Sequence, residues 1–179
     1  MKRTMVISTF PACGKTWLAK NMTTLPTGEE ITVLELDSGR YDKSNPFWYN
    51  QYAVDVWHAT GKYDFILVSM QDVFLEELHK LNVPFVTVGP NNTSWSDPIE
   101  RQLVKQQWFG RFLLRDNSHI KDLDAWMQRL KEHYDEWTSE DGLTVHNPVT
   151  FFTLNQNQYL SDIISDLYWK KEHYDVYIP

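Results

Sequence analysis

Residues 8–16 read Ser8-Thr9-Phe10-Pro11-Ala12-Cys13-Gly14-Lys15-Thr16. This stretch follows a short apolar run, Met5 to Ser8, and precedes a helical segment predicted from Thr16 to Met22. An apolar strand, a turn containing proline and glycine, and then a helix form the usual context of a phosphate-binding loop. The sequence therefore predicts that anionic groups bind where this strand passes into the helix.

The second half of the phosphate-loop pattern G-x-x-x-x-G-K-[ST] is intact as Gly14, Lys15 and Thr16, whereas Thr9 replaces its first glycine. The glycine lets backbone amides approach phosphate oxygens closely, and the lysine reaches the β- and γ-phosphates. The threonine hydroxyl is an expected ligand of Mg²⁺. The predicted cofactors are ATP and Mg²⁺. The predicted cofactor-binding residues are Pro11, Ala12, Cys13, Gly14, Lys15 and Thr16.

Short apolar runs that alternate with helical segments predict an α/β protein. After the first run, further runs at residues 31–36, 65–69, 83–88 and 149–154 are bounded by turn residues, which is typical of strands buried on both faces. Helices are predicted at residues 46–60, 71–81 and 156–171, and two more within 98–137, separated around residues 116–118. This alternation favours one domain, residues 1–179, with a parallel sheet and crossover helices.

Composition narrows the classes of partner and compartment. The chain has 179 residues and a formal net charge of −7, which favours a small anionic ligand over long nucleic acid. It has a single cysteine, Cys13, and no run of 18 apolar residues, so we expect a cytoplasmic protein without a membrane span. We expect Cys13 to fill space in its loop, with a reactive thiol as the alternative. The six histidines lack metal-ligand spacing, which argues against a zinc site.

A carboxylate and an arginine follow the second predicted strand. Ligands of open parallel sheets bind at the carboxyl ends of the strands, so Asp37 is expected to face residues 8–16. It would act as a base towards a hydroxyl or help to place Mg²⁺ together with Thr16, and the alternative is a cap on the next turn. Arg40 is a candidate ligand of a substrate phosphate, with Asp37 as a second substrate contact. The third predicted strand ends in Ser69, where many phosphate-loop proteins have a metal-binding acid.

Two arginines follow the fourth predicted strand, in a lid region predicted at about 97–138. Arg111 and Arg115 are four residues apart and are expected to share one helix face. Guanidinium groups that close over a migrating phosphoryl group stabilise its charge, and a solvated helix face is the alternative. The predicted catalytic residues are Lys15, Asp37, Arg111 and Arg115. An aromatic cluster at residues 45–49 is a candidate wall for stacking a nucleobase.

These features resemble the P-loop kinase group that includes nucleoside and nucleoside-monophosphate kinases, and more narrowly the small phage-encoded P-loop kinases. The resemblance rests on residues 8–16, 36–38, 63–69 and 158–162. It implies a three-layer P-loop NTPase fold, with a five-stranded parallel sheet in the order 2-3-1-4-5 and an arginine-bearing lid after the fourth strand. The group includes polynucleotide kinases, in which an acid after the second strand is the base and an arginine follows, as Asp37 and Arg40 do here.

The leading hypothesis is ATP-dependent phosphorylation of a nucleoside or deoxynucleoside monophosphate. One alternative is a hydroxyl kinase that acts on a nucleic acid end or on a modified base such as hydroxymethyluracil in DNA. A further alternative is an ATP-binding regulator with little turnover. The expected partner is thus a nucleotide or nucleoside substrate, while long nucleic acid is disfavoured and the oligomeric state stays open.

Overall fold

Five parallel strands form the centre of the molecule. The computed structural model describes residues 2–91, 97–115, 117–118, 120–137, 151–155 and 157–173. The strands are β1 (Met5–Thr9), β2 (Val33–Glu35), β3 (Phe65–Ser69), β4 (Phe85–Pro90) and β5 (Phe151–Leu154). They are hydrogen-bonded in the order β2-β3-β1-β4-β5, and each neighbouring pair is parallel. The predicted α/β class, parallel sheet and strand order are confirmed.

Helices cover both faces of the sheet. They are α1 (Lys15–Asn21), α2 (Trp48–Ala59), α3 (Asp72–Lys80), α4 (Pro98–Leu114), α5 (Leu123–Trp137) and α6 (Leu160–His173), with a 3₁₀ turn at Ser38–Arg40. The helices α1, α4, α5 and α6 pack on one face, and α2 and α3 pack on the other. None of the helices in the described ranges is long and apolar enough to cross a membrane.

The central strand explains this layering. Side chains alternate across a strand, so Met5 and Ile7 join the core under α1, α4, α5 and α6, while Val6 joins the core under α2 and α3. Phe10, directly after β1, makes edge-to-face contacts with Trp108 of α4 at 6.0 Å and with Tyr134 of α5 at 5.5 Å between ring centroids. The helices α4 and α5 therefore pack against the residue that begins the β1–α1 loop.

Several element boundaries differ from the predictions. The fourth strand begins at Phe85 and not at Val83, because Pro84 has no amide to donate and the Val83 amide bonds to the last turn of α3. The last helix begins at Leu160 and not at 156, after Asn157 with a positive φ of 66°. Between α4 and α5 the predicted break is confirmed, although Asp116 lies outside the described residues, as do residues 149–150 of the fifth predicted strand.

A buried ion pair attaches α6 to the amino-terminal ends of the strands. The Lys171 ammonium lies 3.1 Å from Oδ1 of Asp64, and Lys2 lies 2.6 Å from its Oδ2. The guanidinium of Arg3 donates to the carbonyls of Lys171 and Glu172 near the end of α6. This cluster lies at the opposite end of the strands from the β1–α1 loop, so it contributes to stability and not to the candidate site.

Candidate functional site

The β1–α1 loop requires glycine at position 14 for two reasons. Gly14, directly before α1, has a φ of +93°, which L side chains rarely adopt. A Cβ atom added there would also lie 3.3 Å from Cδ1 of Tyr159. Ala12 has a φ of +66°, an uncommon value for a residue with a side chain. The loop is therefore held in an uncommon backbone conformation by its surroundings.

Backbone hydrogen bonds hold this loop in place. The Phe10 amide donates to the Val88 carbonyl at 2.9 Å, and the Leu160 amide donates to the Cys13 carbonyl at 2.8 Å. Burial raises the pKa of the Cys13 thiol to about 12, outweighing the nearby charges of Lys15 and Arg111. Cys13 is thus a buried filler side chain, and the structure gives no support to the reactive-thiol alternative.

Thr16 and Lys15 lie beside a carboxylate that the sequence did not single out. The Thr16 hydroxyl donates to Oε1 of Glu35 at 2.7 Å. Burial lowers the pKa of Lys15, while the charges of Asp37 and Glu35 raise it, so both carboxylates lie within electrostatic reach of the ammonium. The available signal was an acid inside the otherwise apolar run at residues 31–36. Only the fold brings it next to α1.

Asp37 caps the next turn, as the alternative prediction has it, and its charge also acts on several cations. Its Oδ1 accepts a hydrogen bond of 2.7 Å from the Gly39 amide, which caps the 3₁₀ turn. Its negative charge also raises the pKa of Lys15, Lys43 and Arg115 against the burial that lowers each. The structure therefore places Asp37 among cations from the β1–α1 loop, the segment before α2 and the end of α4.

Arg111 and Arg115, the two arginines predicted for a lid, have different surroundings. Arg115 follows the last residue of α4 in extended conformation, so the prediction of a shared helix face is wrong at this residue. Its Nε donates to Asn117 at 2.8 Å. Burial lowers the pKa of Lys15, and the positive charge of Arg115 lowers it further. Of these two arginines, Arg115 is therefore the one whose charge acts on Lys15 and is acted on by Asp37.

Arg111 links α4 to the segment before α6. Its guanidinium lies 4.6 Å from the Trp108 ring centroid and 4.5 Å from that of Tyr159, and it donates to the Gln158 carbonyl at 2.7 Å. Tyr159 in turn packs against Gly14. Arg111 thus lies beside the β1–α1 loop and connects α4 to it through Tyr159.

Arg40 and Ser69 complete the set of predicted positions. Arg40 is exposed at the end of the 3₁₀ turn. Burial raises the pKa of the neighbouring Tyr41, and the positive charge of Arg40 partly opposes this rise. The Ser69 hydroxyl accepts a hydrogen bond of 3.2 Å from the Ser38 amide. At the end of β3, Ser69 therefore positions the turn that carries Asp37.

The oxygen atoms available at this site are of the type that Mg²⁺ prefers. They are the Thr16 hydroxyl and the carboxylates of Glu35 and Asp37. In the described part of the chain, no group of three or more His, Cys, Asp or Glu side chains could hold a metal ion. Mg²⁺ in nucleotide enzymes commonly takes one or two carboxylates together with substrate phosphates and waters, so a protein cage is not required.

Comparisons with known proteins add no family. A scan against protein-family models found no matching family, and searches of curated proteins and of solved structures found no match. The functional assignment therefore depends on the loop, the carboxylates and the cations described above.

Proposed function

We propose that the protein is an ATP-dependent phosphotransferase whose acceptor is a nucleoside or deoxynucleoside monophosphate. The observation that carries this proposal is a glycine-containing loop at the carboxyl end of the central strand, directly followed by Lys15 and Thr16. Glu35 accepts a hydrogen bond from Thr16, and the charges of Asp37 and Arg115 act on Lys15. Ligands of open parallel sheets bind at this edge. The sequence of the loop supplies the residue types that phosphate binding requires.

The β1–α1 loop would bind the phosphates of ATP. Its backbone amides lie at the start of α1, and Lys15 follows Gly14 directly. Thr16, Glu35 and Asp37 would hold Mg²⁺, which neutralises charge on the phosphate oxygens of the nucleotide. The buried contacts of Phe10 and Cys13 keep the loop in one conformation, so little reorganisation is needed when ATP binds.

The charges around Asp37 favour an acceptor that carries a phosphate. The cations of Lys15, Lys43 and Arg115 outnumber the carboxylates of Asp37 and Glu35. In the reaction, an oxygen of the acceptor phosphate attacks the γ-phosphorus and ADP leaves with the bridging oxygen. Such an acceptor is already an anion, so it needs positioning and charge neutralisation more than a base. Arg115, which follows the last residue of α4, would stabilise the charge of the phosphoryl group in transit.

Binding of ATP tests the donor half of this proposal. ATP with Mg²⁺ at about 100 times its Kd should stabilise the folded protein by about 2.7 kcal/mol. For a chain of this length, that corresponds to a rise in Tm of roughly 5–10 °C. Lys15→Ala should abolish most of the rise, whereas Lys20→Ala, an exposed lysine in the last turn of the same helix, should retain it. An equal rise in both variants would contradict the proposal.

A further inference from the structure

An ammonium group covers one face of an aromatic ring near Asp37. Lys43 Nζ lies 3.1 Å from the centroid of the Trp48 ring, at the start of α2. Lys43 is exposed as a residue, but desolvation of its ammonium lowers its pKa to about 8, while the charge of Asp37 raises it. The same ammonium is therefore in contact with the ring and within electrostatic reach of Asp37. Any group that replaced it on the ring would also lie near Asp37.

The Trp48 ring is held in a fixed position relative to the carboxyl ends of β2 and β3. It stacks near Tyr52, with 6.4 Å between centroids and 27° between planes, and it meets Tyr49 edge to face at 5.9 Å. The Tyr52 hydroxyl donates to the Leu36 carbonyl, next to Asp37 in the chain, and accepts from the Ser69 amide at 2.9 Å. Tyr52, itself fixed by two hydrogen bonds, thus holds the Trp48 ring in place. The group that covers the ring is a flexible lysine side chain.

We propose that the Trp48 ring is the stacking platform for the nucleobase of the acceptor, and that Lys43 leaves the ring to bind the acceptor phosphate. This inference rests on the proposed function, which supplies the acceptor class of nucleoside monophosphates. Aromatic faces that attract a cation also stack planar bases, and the stacking tolerates different bases. In the absence of acceptor, the ammonium covers the ring. Its charge then already lies within electrostatic reach of Asp37, where the acceptor phosphate would bind.

Binding of three kinds of probe separates the two parts of the inference. The probes are the four deoxynucleoside 5′-monophosphates, the corresponding deoxynucleosides, which lack the phosphate, and 2-deoxyribose 5-phosphate, which lacks the base. Titration calorimetry without ATP measures each Kd. Trp48→Leu should weaken the best monophosphate about 5- to 100-fold and leave 2-deoxyribose 5-phosphate unchanged. Trp48→Phe, which retains an aromatic face and much of the packing, should lose less than Trp48→Leu.

Lys43→Met should weaken the binding of the monophosphate and strengthen the binding of the deoxynucleoside. The variant loses the charge that binds phosphate, so the monophosphate should bind more weakly. The uncovered ring should bind the deoxynucleoside more tightly than the wild type does. Trp57→Leu is the matched control, because Trp57 lies on the same helix, is 50% exposed and meets the His58 ring edge to face, whereas Lys43 covers Trp48. All affinities in this control should equal those of the wild type.

Some outcomes would overturn the inference. Wild-type protein that binds none of the monophosphates, or Trp48 variants that bind them as the wild type does, would exclude the platform. Equal losses for the monophosphate and for 2-deoxyribose 5-phosphate would also exclude it. Unchanged or weaker deoxynucleoside binding in Lys43→Met would exclude the displacement. The rise in Tm with ATP and Mg²⁺ should persist in all of these variants, whereas its absence from the wild type would refute the proposed function itself.

Discussion

Replacement of Asp64 by asparagine tests how the last helix is attached to the sheet. Asp64 is 3% exposed, and its carboxylate contacts Lys171, Lys2 and the amide and hydroxyl of Thr32. Burial raises the pKa of this carboxyl, but the hydrogen bonds from Lys2, Thr32 and Lys171 together outweigh it and bring the pKa down to about 2. Asparagine keeps the size of the side chain and removes the charge.

The pKa of Asp64 gives the size of the expected loss. An aspartic acid in an unfolded chain has a pKa of about 3.9, so the folded state favours the charged form by about two pH units. This difference corresponds to about 2.5 kcal/mol at neutral pH. For 179 residues, a loss of this size lowers Tm by roughly 5–10 °C. The Lys171 ammonium keeps Glu172 at 2.6 Å, so the loss should stay below the upper end found for broken buried pairs, about 5 kcal/mol.

The pH dependence follows from the sign of this change. A carboxyl whose pKa is lowered by folding contributes its full stability above the pKa of the unfolded state. That contribution is lost as the pH falls through the pKa of the folded state. Urea unfolding should therefore show a constant advantage of the wild type over Asp64→Asn from pH 7 to about pH 5, which shrinks between about pH 4 and pH 2. Glu76→Gln, an exposed control, should stay within about 0.5 kcal/mol of the wild type. A pH-independent difference, or one below about 0.5 kcal/mol, would refute the reasoning.

Three further predictions concern the candidate site. Asp37→Asn should lower kcat by less than the 10²–10⁴-fold typical of a lost base, and added Mg²⁺ should restore part of the rate. The rates are measured over a Mg²⁺ series, and a full loss that no Mg²⁺ concentration relieves would indicate a hydroxyl acceptor. Arg115→Ala should lower kcat more than it weakens ATP binding, whereas Arg111→Ala, which breaks the contact between α4 and Tyr159, should lower Tm as well. Wild-type turnover in Arg115→Ala would remove this residue from the catalytic set. Gly14→Ala should lose ATP binding in a titration, and its free energy of unfolding in urea should fall by about 1–3 kcal/mol, because alanine is strained at a φ of +93° and meets Tyr159. Normal ATP binding by this variant would contradict the role given to the loop.

The sheet could be predicted because its signals are local. Apolar runs of four to six residues, each ended by turn residues, indicated the strands at 65–69 and 5–8 closely. The resemblance to P-loop kinases supplied the strand order, which periodicity alone does not give. The error at Val83 was avoidable, because the proline that follows it cannot donate to a sheet ladder.

The candidate site was less predictable because its contacts join distant parts of the chain. Glu35 meets Thr16 across 19 positions, and within the sequence it is only an interruption of an apolar run. Arg111 and Arg115 looked equivalent by spacing, but Gln158 and Tyr159, more than 40 positions away, contact only the first of them in the described structure. Lys43 on the Trp48 ring depended on side-chain packing that no local pattern shows.

Transfer of the γ-phosphoryl group is the most direct measurement of the central claim. The protein is incubated with Mg²⁺, ATP labelled in its γ-phosphate and each of the four deoxynucleoside 5′-monophosphates, and the labelled products are separated. The account predicts a labelled deoxynucleoside diphosphate and a matching amount of ADP with the wild type, and neither product above background with Lys15→Ala. Label that never reaches an acceptor phosphate, or equal transfer by the wild type and Lys15→Ala, would contradict the account.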